Sequence, residues 1–335
     1  MRQTTIERPA ADLSAKGRGA PADRGFKWLS LSAGLLVLAI LVLILITTLR
    51  ESWPAFKYSG LDFITSKSWI PNDPDGDGPL GPAFGALAFI YGTVLVALIA
   101  LVFAVPVSIG IALFLTELAP RRLRGPAITA MDLLAAVPSV VFGLWGIVVV
   151  GPALVKVFNW LHDVLGGVPV LGKLFGEPVS SGRSFMTAGV IVAIMILPII
   201  TSITREVFAT VPESEKHAAV ALGATRWEMI KGAVFPHSFG GMVGAVMLGL
   251  GRAMGETIAV ALVIGSATQI TPNLFASGNT LAAVIALNWG DPGESPGRAA
   301  LVACGVVLFG ITIIVNYAAR LVVRRAEIRM RGAGA

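Results

Sequence analysis

The chain has 335 residues, of which 55% are hydrophobic and only 14% charged, with a formal net charge of +6 and a mean hydropathy of +0.79. Soluble domains carry about 25% charged residues, so charge this sparse cannot cover a water-facing surface, and most of the surface is expected to face lipid. Disorder across the chain is excluded by the same numbers. A single cysteine, Cys304, excludes a disulfide framework and a cysteine-based zinc site, and three histidines (His162, His217 and His237) leave little for metal chemistry.

Residues 1–27, rich in Arg, Ala and Gly, are expected to form a disordered cytoplasmic tail. Six segments then reach the roughly 20 apolar residues that cross a bilayer: Trp28–Leu49, Phe84–Thr116, Leu133–Val155, Ser184–Thr204, Gly241–Gly265 and Ala299–Ala319. Pro106 predicts a break within the second. The first reads as a signal anchor, because its apolar core is too long for a cleaved signal and no small-x-small site follows. Six is even, so both termini share one side. With the N-terminus in the cytoplasm, the inner segments hold 18 Lys and Arg and the outer ones 7, the bias that orients membrane proteins. The positive charge is therefore mainly a topology signal, and without a basic soluble face no nucleic-acid partner is expected. The expected architecture is all-α and polytopic. A six-helix domain spans 28–325 and a basic tail spans 326–335, with Arg320, Arg324, Arg325, Arg329 and Arg331 set to meet anionic lipid headgroups.

Two motifs nearly match. Gly167 through Gly172-Lys173-Leu174 approximates the phosphate-cradling loop, but Leu174 stands where a hydroxyl must hold Mg²⁺. Asp73, Asp75 and Asp77 open like a calcium loop, but position twelve is Phe84 where a bidentate Glu is required. No cofactor or metal is expected, and no nucleophile has a base at matching spacing, so the chain does not read as an enzyme.

Residues 205–237 are the most organised polar stretch. Pro212, Glu213 and Glu215 mark a helix start, since acids meet the positive dipole end there. Gly223 stops that helix. Thr225 with Glu228 three residues on predicts a capping box for a second short helix, and Pro236 opens the next span. A helical hairpin with a glycine elbow is expected to project from the membrane.

Arg252 lies 11 residues after Gly241 and 13 before Gly265, about 16–20 Å from each end at 1.5 Å per residue. A charge near mid-membrane costs at least about 2.5–3.5 kcal/mol and usually faces the bundle interior. Glu256, four residues on, is expected on the same helix face. Gly249, Gly251 and Gly255 thin the helix so that neighbours or substrate can approach. The two charges either neutralise each other as a structural pair or line a path. Asp132, after Arg121, Arg122 and Arg124, sits at the inner mouth of the third span, where it completes a gate or pairs with those arginines. Pro138 and Ser139 interrupt the same span, and a proline there frees a carbonyl and permits a kink.

The loop resembles the permease subunits of ABC importers, marked by E-A-A-x₃-G-x₉-I-x-L-P. Ala218, Ala219, Gly223 and Pro236 match, whereas His217 replaces Glu, Ala233 replaces Ile and Phe235 replaces Leu. Over about residues 28–325 the chain is similar to the phosphate-specific, PstC-type subfamily. The supporting stretches are Phe89–Thr93, Pro106–Pro120, Leu134–Gly146, Thr225-Arg226-Trp227-Glu228 and Gly249–Thr257. The resemblance implies a six-helix, MetI-like type I importer permease. Its partners would be a PstA-type sister permease, a pair of ATPase subunits and an extracytoplasmic phosphate-binding protein. It implies that His217, Ala218, Ala219, Gly223, Arg226, Trp227 and Pro236 belong to the loop that docks on the ATPase. It favours the reading in which Arg252 and Glu256 line the substrate path, with Thr257, Ser139 and Asp132 as further candidates for that path. The alternatives are a permease for molybdate or sulfate, a membrane-embedded enzyme and a passive channel; the docking loop speaks against the last two.

Overall fold

The computed structural model describes residues 20–71, 83–293 and 296–332, with side chains between 23 and 321. Asp73, Asp75 and Asp77 lie outside the described residues. Six helical stretches are long and apolar enough to cross a membrane: Asp23–Ser59, Leu87–Leu118, Ser139–Leu165, Phe185–Ala209, Arg226–Gly255 and Gly297–Leu321.

Helix α1 (Ala20–Ser59) starts eight residues before the expected span, so residues 20–27 are helical rather than a tail. The described residues up to Arg50 form one compact unit and those from Glu51 a second. In the second unit come the short α2 (Asp62–Thr65), β1 (Trp69–Ile70) and β2 (Ala83–Phe84). The two strands pair antiparallel, Trp69 opposite Phe84. Trp69 meets Phe84 and Phe89 edge to face at 5.3 and 5.2 Å.

Helix α3 (Leu87–Leu113) runs through Pro106 without interruption and ends in a π turn, Phe114–Leu118. The expected break is absent because a membrane helix tolerates the one lost backbone bond when neighbours and side chains hold its course. Here Ser108, two residues on, donates to the Leu197 carbonyl of the adjacent helix at 3.1 Å. The third expected span divides into three. Helix α4 (Arg121–Ala136) ends at Val137, Pro138 is extended, and α5 (Ser139–Trp145) passes through a second π turn (Gly146–Val150) into α6 (Gly151–Leu165). Proline disfavours helical geometry in the residue before it, which is why α4 stops there. Residues 167–174 form turns and the one-turn α7 (Leu171–Leu174).

Helix α8 (Phe185–Ala209) is the axis of the fold. Ile191, Ile196 and Ile200 are fully buried, with α3 along one side and α11 (Phe235–Gly255) along another. Small residues set these approaches. Gly189 lies on Ile99, Gly241 on Val207 and Gly249 on Ile200 and Ile196. The contacts run in opposite order along the two chains, so α8 and α11 are antiparallel. The first amides of α8 have no partner within the helix. A loop from the far side of the sequence satisfies them: Phe185 N donates to the Ala276 carbonyl at 3.1 Å and Met186 N to Leu274 at 2.9 Å.

After α8 come α9 (Glu213–Ala221) and α10 (Arg226–Met229). The expected second short helix is not separate. It passes through a third π turn (Ile230–Val234) into α11, with Pro236 directly after that turn. Helix α12 (Ile258–Val263), the loop to Thr280, α13 (Leu281–Asn288) and α14 (Gly297–Gly332) complete the chain. Helix α14 runs through the expected boundary at 325.

Gly92 on α3 is pressed against the Asn279 carbonyl, and beside it Leu281 N donates to Thr93 Oγ1 at 3.0 Å. A methyl at 92 has nowhere to go. Gly92→Ala is expected to cost about 1–3 kcal/mol, read as a lowered melting temperature of the detergent-solubilised protein. Gly110→Ala, with nothing within 4 Å, leaves it unchanged.

Candidate substrate path and docking loop

The expected fifth span to Gly265 is broken. Helix α11 ends at Gly255, and Glu256 is extended at φ −67°, ψ 127°. Arg252 therefore lies in the last turn of its helix, where the negative dipole end favours a cation. It remains near the middle of the bundle's depth. One turn earlier, Gly249 meets Ile196 and Ile200, which lie about 17–23 Å along α8 from its start at 1.5 Å per residue.

The break also separates the expected Arg252–Glu256 pair. Glu256 leaves the face that carries Arg252, and among the described residues no ion pair joins them. Instead Glu256 Oε1 accepts from Ala259 N at 3.4 Å, so the carboxylate covers the first turn of α12. The i,i+4 expectation required a continuous helix; the extended backbone at Glu256 removes it. Thr257 Oγ1 donates back to the Gly255 carbonyl at 3.1 Å, occupying one acceptor that the helix end leaves unpaired.

The two broken helices meet. Gly143 of α5 abuts Ala259 and Leu262, and Gly146 abuts Val263. The order is the same in both chains, so α5 and α12 lie side by side and parallel. Ser139, the first residue of α5, and Glu256–Thr257 therefore sit at the same end. Phe142, Met195 and Ala259 pack together behind this junction. No side chain caps the first turn of α5. Ser139, Glu256 and Thr257 are half-buried, and Arg252 is exposed. Gly251 and Gly255 beside it have no neighbour within 4 Å.

Asp132 belongs to a different level. It lies on α4, seven residues or about 10 Å before Ser139. With Thr201, Ser202 and Arg205 of α8 it lines a small cavity. Among the described residues it pairs with none of Arg121, Arg122 and Arg124. Arg124 Nη2 donates instead to the Thr116 carbonyl at 2.8 Å.

At the docking-loop end, α9 follows Pro212, with Glu213 and Glu215 in its first turn. Gly223 takes φ +88° in open space, a left-handed conformation that favours glycine. The capping box forms: Thr225 N and Oγ1 each donate to Glu228 Oε2 at 2.8 Å, and Glu228 N donates to Thr225 Oγ1 at 3.3 Å. His217, Ala218, Arg226, Trp227 and Pro236 are exposed, and Ala219 is half-buried. Lys231 Nζ lies 4.9 Å from the Trp227 ring centre.

The sequence reading passed over Lys216. It is the one buried residue of α9, with Nζ 2.8 Å from Glu117 Oε1 and 3.4 Å from Glu213 Oε1. Burial works against its charge, but the hydrogen bond and attraction of Glu117, reinforced by Glu213, outweigh it and raise the pKa above the usual lysine value. Lys216 thus stays charged at physiological pH. Nothing local marked it, because its partner lies 99 residues away.

With this geometry in place, comparison with known proteins is decisive. The profile described as "Binding-protein-dependent transport system inner membrane component" matches residues 104–328. The chain belongs to that family. Among its relatives are three phosphate transport system permease proteins. PstC of Xylella fastidiosa strain 9a5c is 44% identical over 310 residues, covering 92% of each chain. PstC of Mesorhizobium japonicum is 42% identical over 313 residues, 93% of each. PstC 2 of Mycobacterium tuberculosis is 41% identical over 314 residues, 93% of this chain and 94% of the other. A chain of a bacterial alginate ABC transporter, solved with a periplasmic protein carrying an alginate pentasaccharide, superposes with a TM-score of 0.53. That superposition covers 91% of this chain and 97% of the other at 16% identity, and shows the fold alone. The chain is thus a largely α-helical, multi-pass inner-membrane component that shares the fold of that transporter chain.

Thr225→Ala removes the capping box and is expected to cost the loop about 1 kcal/mol. Amide exchange at residues 226–229 should quicken in mass spectrometry while the melting temperature of the bundle holds.

Proposed function

We propose that the chain is the transmembrane permease subunit of an ATP-driven importer that moves inorganic phosphate into the cytoplasm by alternating access. The observation that carries this reading is the junction of two broken helices at mid-depth, with Arg252 beside it. Discontinuous helices are a recurrent way of presenting unpaired backbone amides and charges to an ion within a bilayer. The identity to three phosphate permeases supports phosphate as the cargo.

Arg252 supplies a planar, permanently charged fork suited to an oxyanion. Its exposed face, with Gly251 and Gly255, is one wall of the path, and a PstA-type sister permease supplies the other. The first-turn amides of α5 at Ser139 add donors, and Thr257, whose hydroxyl proton is held by the Gly255 carbonyl, lines the same end of the path. Glu256 is the acceptor. Monohydrogen and dihydrogen phosphate carry a P–OH that donates to it; sulfate has no such proton and meets a repelling carboxylate. Asp132, about 10 Å nearer the docking loop, stands at the path's inner part.

The charge bias orients the docking loop and both termini to the cytoplasm. There α9 and the Gly223 elbow offer small, exposed residues to a groove of an ATPase subunit, one of a pair. That pair hydrolyses the ATP, and this chain performs no covalent chemistry. An extracytoplasmic phosphate-binding protein delivers the anion to the opposite end, and membrane lipid surrounds the spans.

Uptake of labelled phosphate and sulfate into proteoliposomes with the assembled partners tests the path. Arg252→Ala is expected to lower phosphate uptake at least about a hundredfold, the loss of a charge-assisted hydrogen-bond pair. Glu256→Gln is expected to retain assembly but admit sulfate. Unchanged phosphate uptake in the first, or unchanged sulfate exclusion in the second, removes the corresponding role. Sulfate or molybdate uptake by the unaltered chain would reassign the cargo.

A further inference from the structure

Helix α9 turns a lysine, not an apolar side chain, into the bundle. Lys216 and Glu117 have side chains only 10% exposed each and meet at 2.8 Å, while His217, Val220 and Leu222 on the same helix face outward. Glu117 lies in the π turn that ends α3. Helix α4 grips the same turn through Arg124 on the Thr116 carbonyl at 2.8 Å. Five residues, Phe114–Leu118, thus join the docking helix, the longest contact of the α8 axis and the helix that leads to the break before Ser139. π turns occur disproportionately at functional sites.

An apolar contact would hold α9 at lower desolvation cost than a buried ion pair. What the pair adds is direction. Apolar surfaces slide over one another, whereas a charge-assisted hydrogen bond in a dry site fixes distance and angle. The rest of the α9 anchorage is softer: His237 Nδ1 to Glu215 Oε2 is 3.5 Å and half-exposed, and Ala219 is only partly buried in the cluster around Phe208 and Met229.

We propose that Lys216 is a positioning residue for energy coupling. Its ion pair with Glu117 locks the docking helix to the π turn. A displacement of α9 by the ATPase subunit is then delivered to α3 and α4, and so to the Ser139 break, instead of being absorbed by the loop. This rests on the functional reading above. It is a claim about coupling, for which spatial intermediacy alone is no warrant, so the test measures coupling.

The test uses the full complex in proteoliposomes, with ATPase subunits, sister permease and phosphate-binding protein. It follows phosphate imported per ATP hydrolysed and retention of the ATPase subunits on purification. Lys216→Met and Glu117→Gln are each expected to retain the ATPase subunits and hydrolyse ATP, yet import about tenfold less phosphate per ATP, a typical coupling magnitude. The swap Lys216→Glu with Glu117→Lys is expected to recover most of the loss. If the single variants fold poorly, the double Lys216→Met, Glu117→Gln, which leaves no unpaired charge, must show the same tenfold loss. Unchanged import per ATP overturns the proposal. So does loss of the ATPase subunits in step with uptake, which makes Lys216 a docking contact only, and so does an assembled swap variant that stays uncoupled. An unaltered complex whose hydrolysis does not respond to phosphate overturns the functional reading, and the coupling role with it.

Discussion

A backbone amide or carbonyl left unpaired in hydrocarbon costs several kcal/mol, and that constraint organises the chain. Most of its spans satisfy every group internally by staying helical. At the Glu256 break local side chains take up free groups, the Glu256 carboxylate at Ala259 N and the Thr257 hydroxyl at the Gly255 carbonyl, whereas no side chain caps the first turn of α5 after Pro138. The ends of α8 follow the same rule, with the loop between α12 and α13 accepting from Phe185 and Met186. The interior break is therefore a built feature, and the path proposed for the anion runs past the polar groups that accompany it.

Glycine decides how closely the helices approach. Gly189, Gly241 and Gly249 seat α8 against α3 and α11, and Gly143 and Gly146 seat α5 against α12. In a bilayer, where apolar side chains gain little by leaving lipid, such close backbone packing is the main source of helix association. Gly251 and Gly255 face no neighbour in this chain. The same residue type thus packs one side of α11 and leaves the other open around Arg252.

Charge is used sparingly and in two ways. Exposed Lys and Arg carry the segment bias on which the proposed orientation rests. Among the charges within or near the bundle, Arg252, Glu256 and Glu117 sit where a helix ends or bends, and Lys216 lies within α9 opposite Glu117. There a dipole end or a partner offsets the cost of leaving water. Lys216 and Glu117 join elements 99 residues apart, a link between loop and bundle that apolar packing by itself would leave loose.

Span number, class and the helical hairpin at 213–229 were legible in the sequence because each rests on local physics. Twenty apolar residues in a row have few alternatives to a membrane helix, and Gly223 with Thr225 and Glu228 dictates an elbow and a cap within a few bonds. Helix continuity was not legible. Pro106 is bridged while Pro138 breaks its helix, and nothing apolar or charged at Glu256 announces an extended residue; the neighbours in space decide. The same holds for the charges. The spacing of Arg252 and Glu256 describes a pair on an intact helix, and only the fold shows that the helix ends between them. It also shows that Ser139 and Glu256 sit at the same end of two paired helices, seated by Gly143 and Gly146, and that Lys216 points inward to Glu117. Those contacts join residues far apart along the chain, so they exist only once the helices have packed.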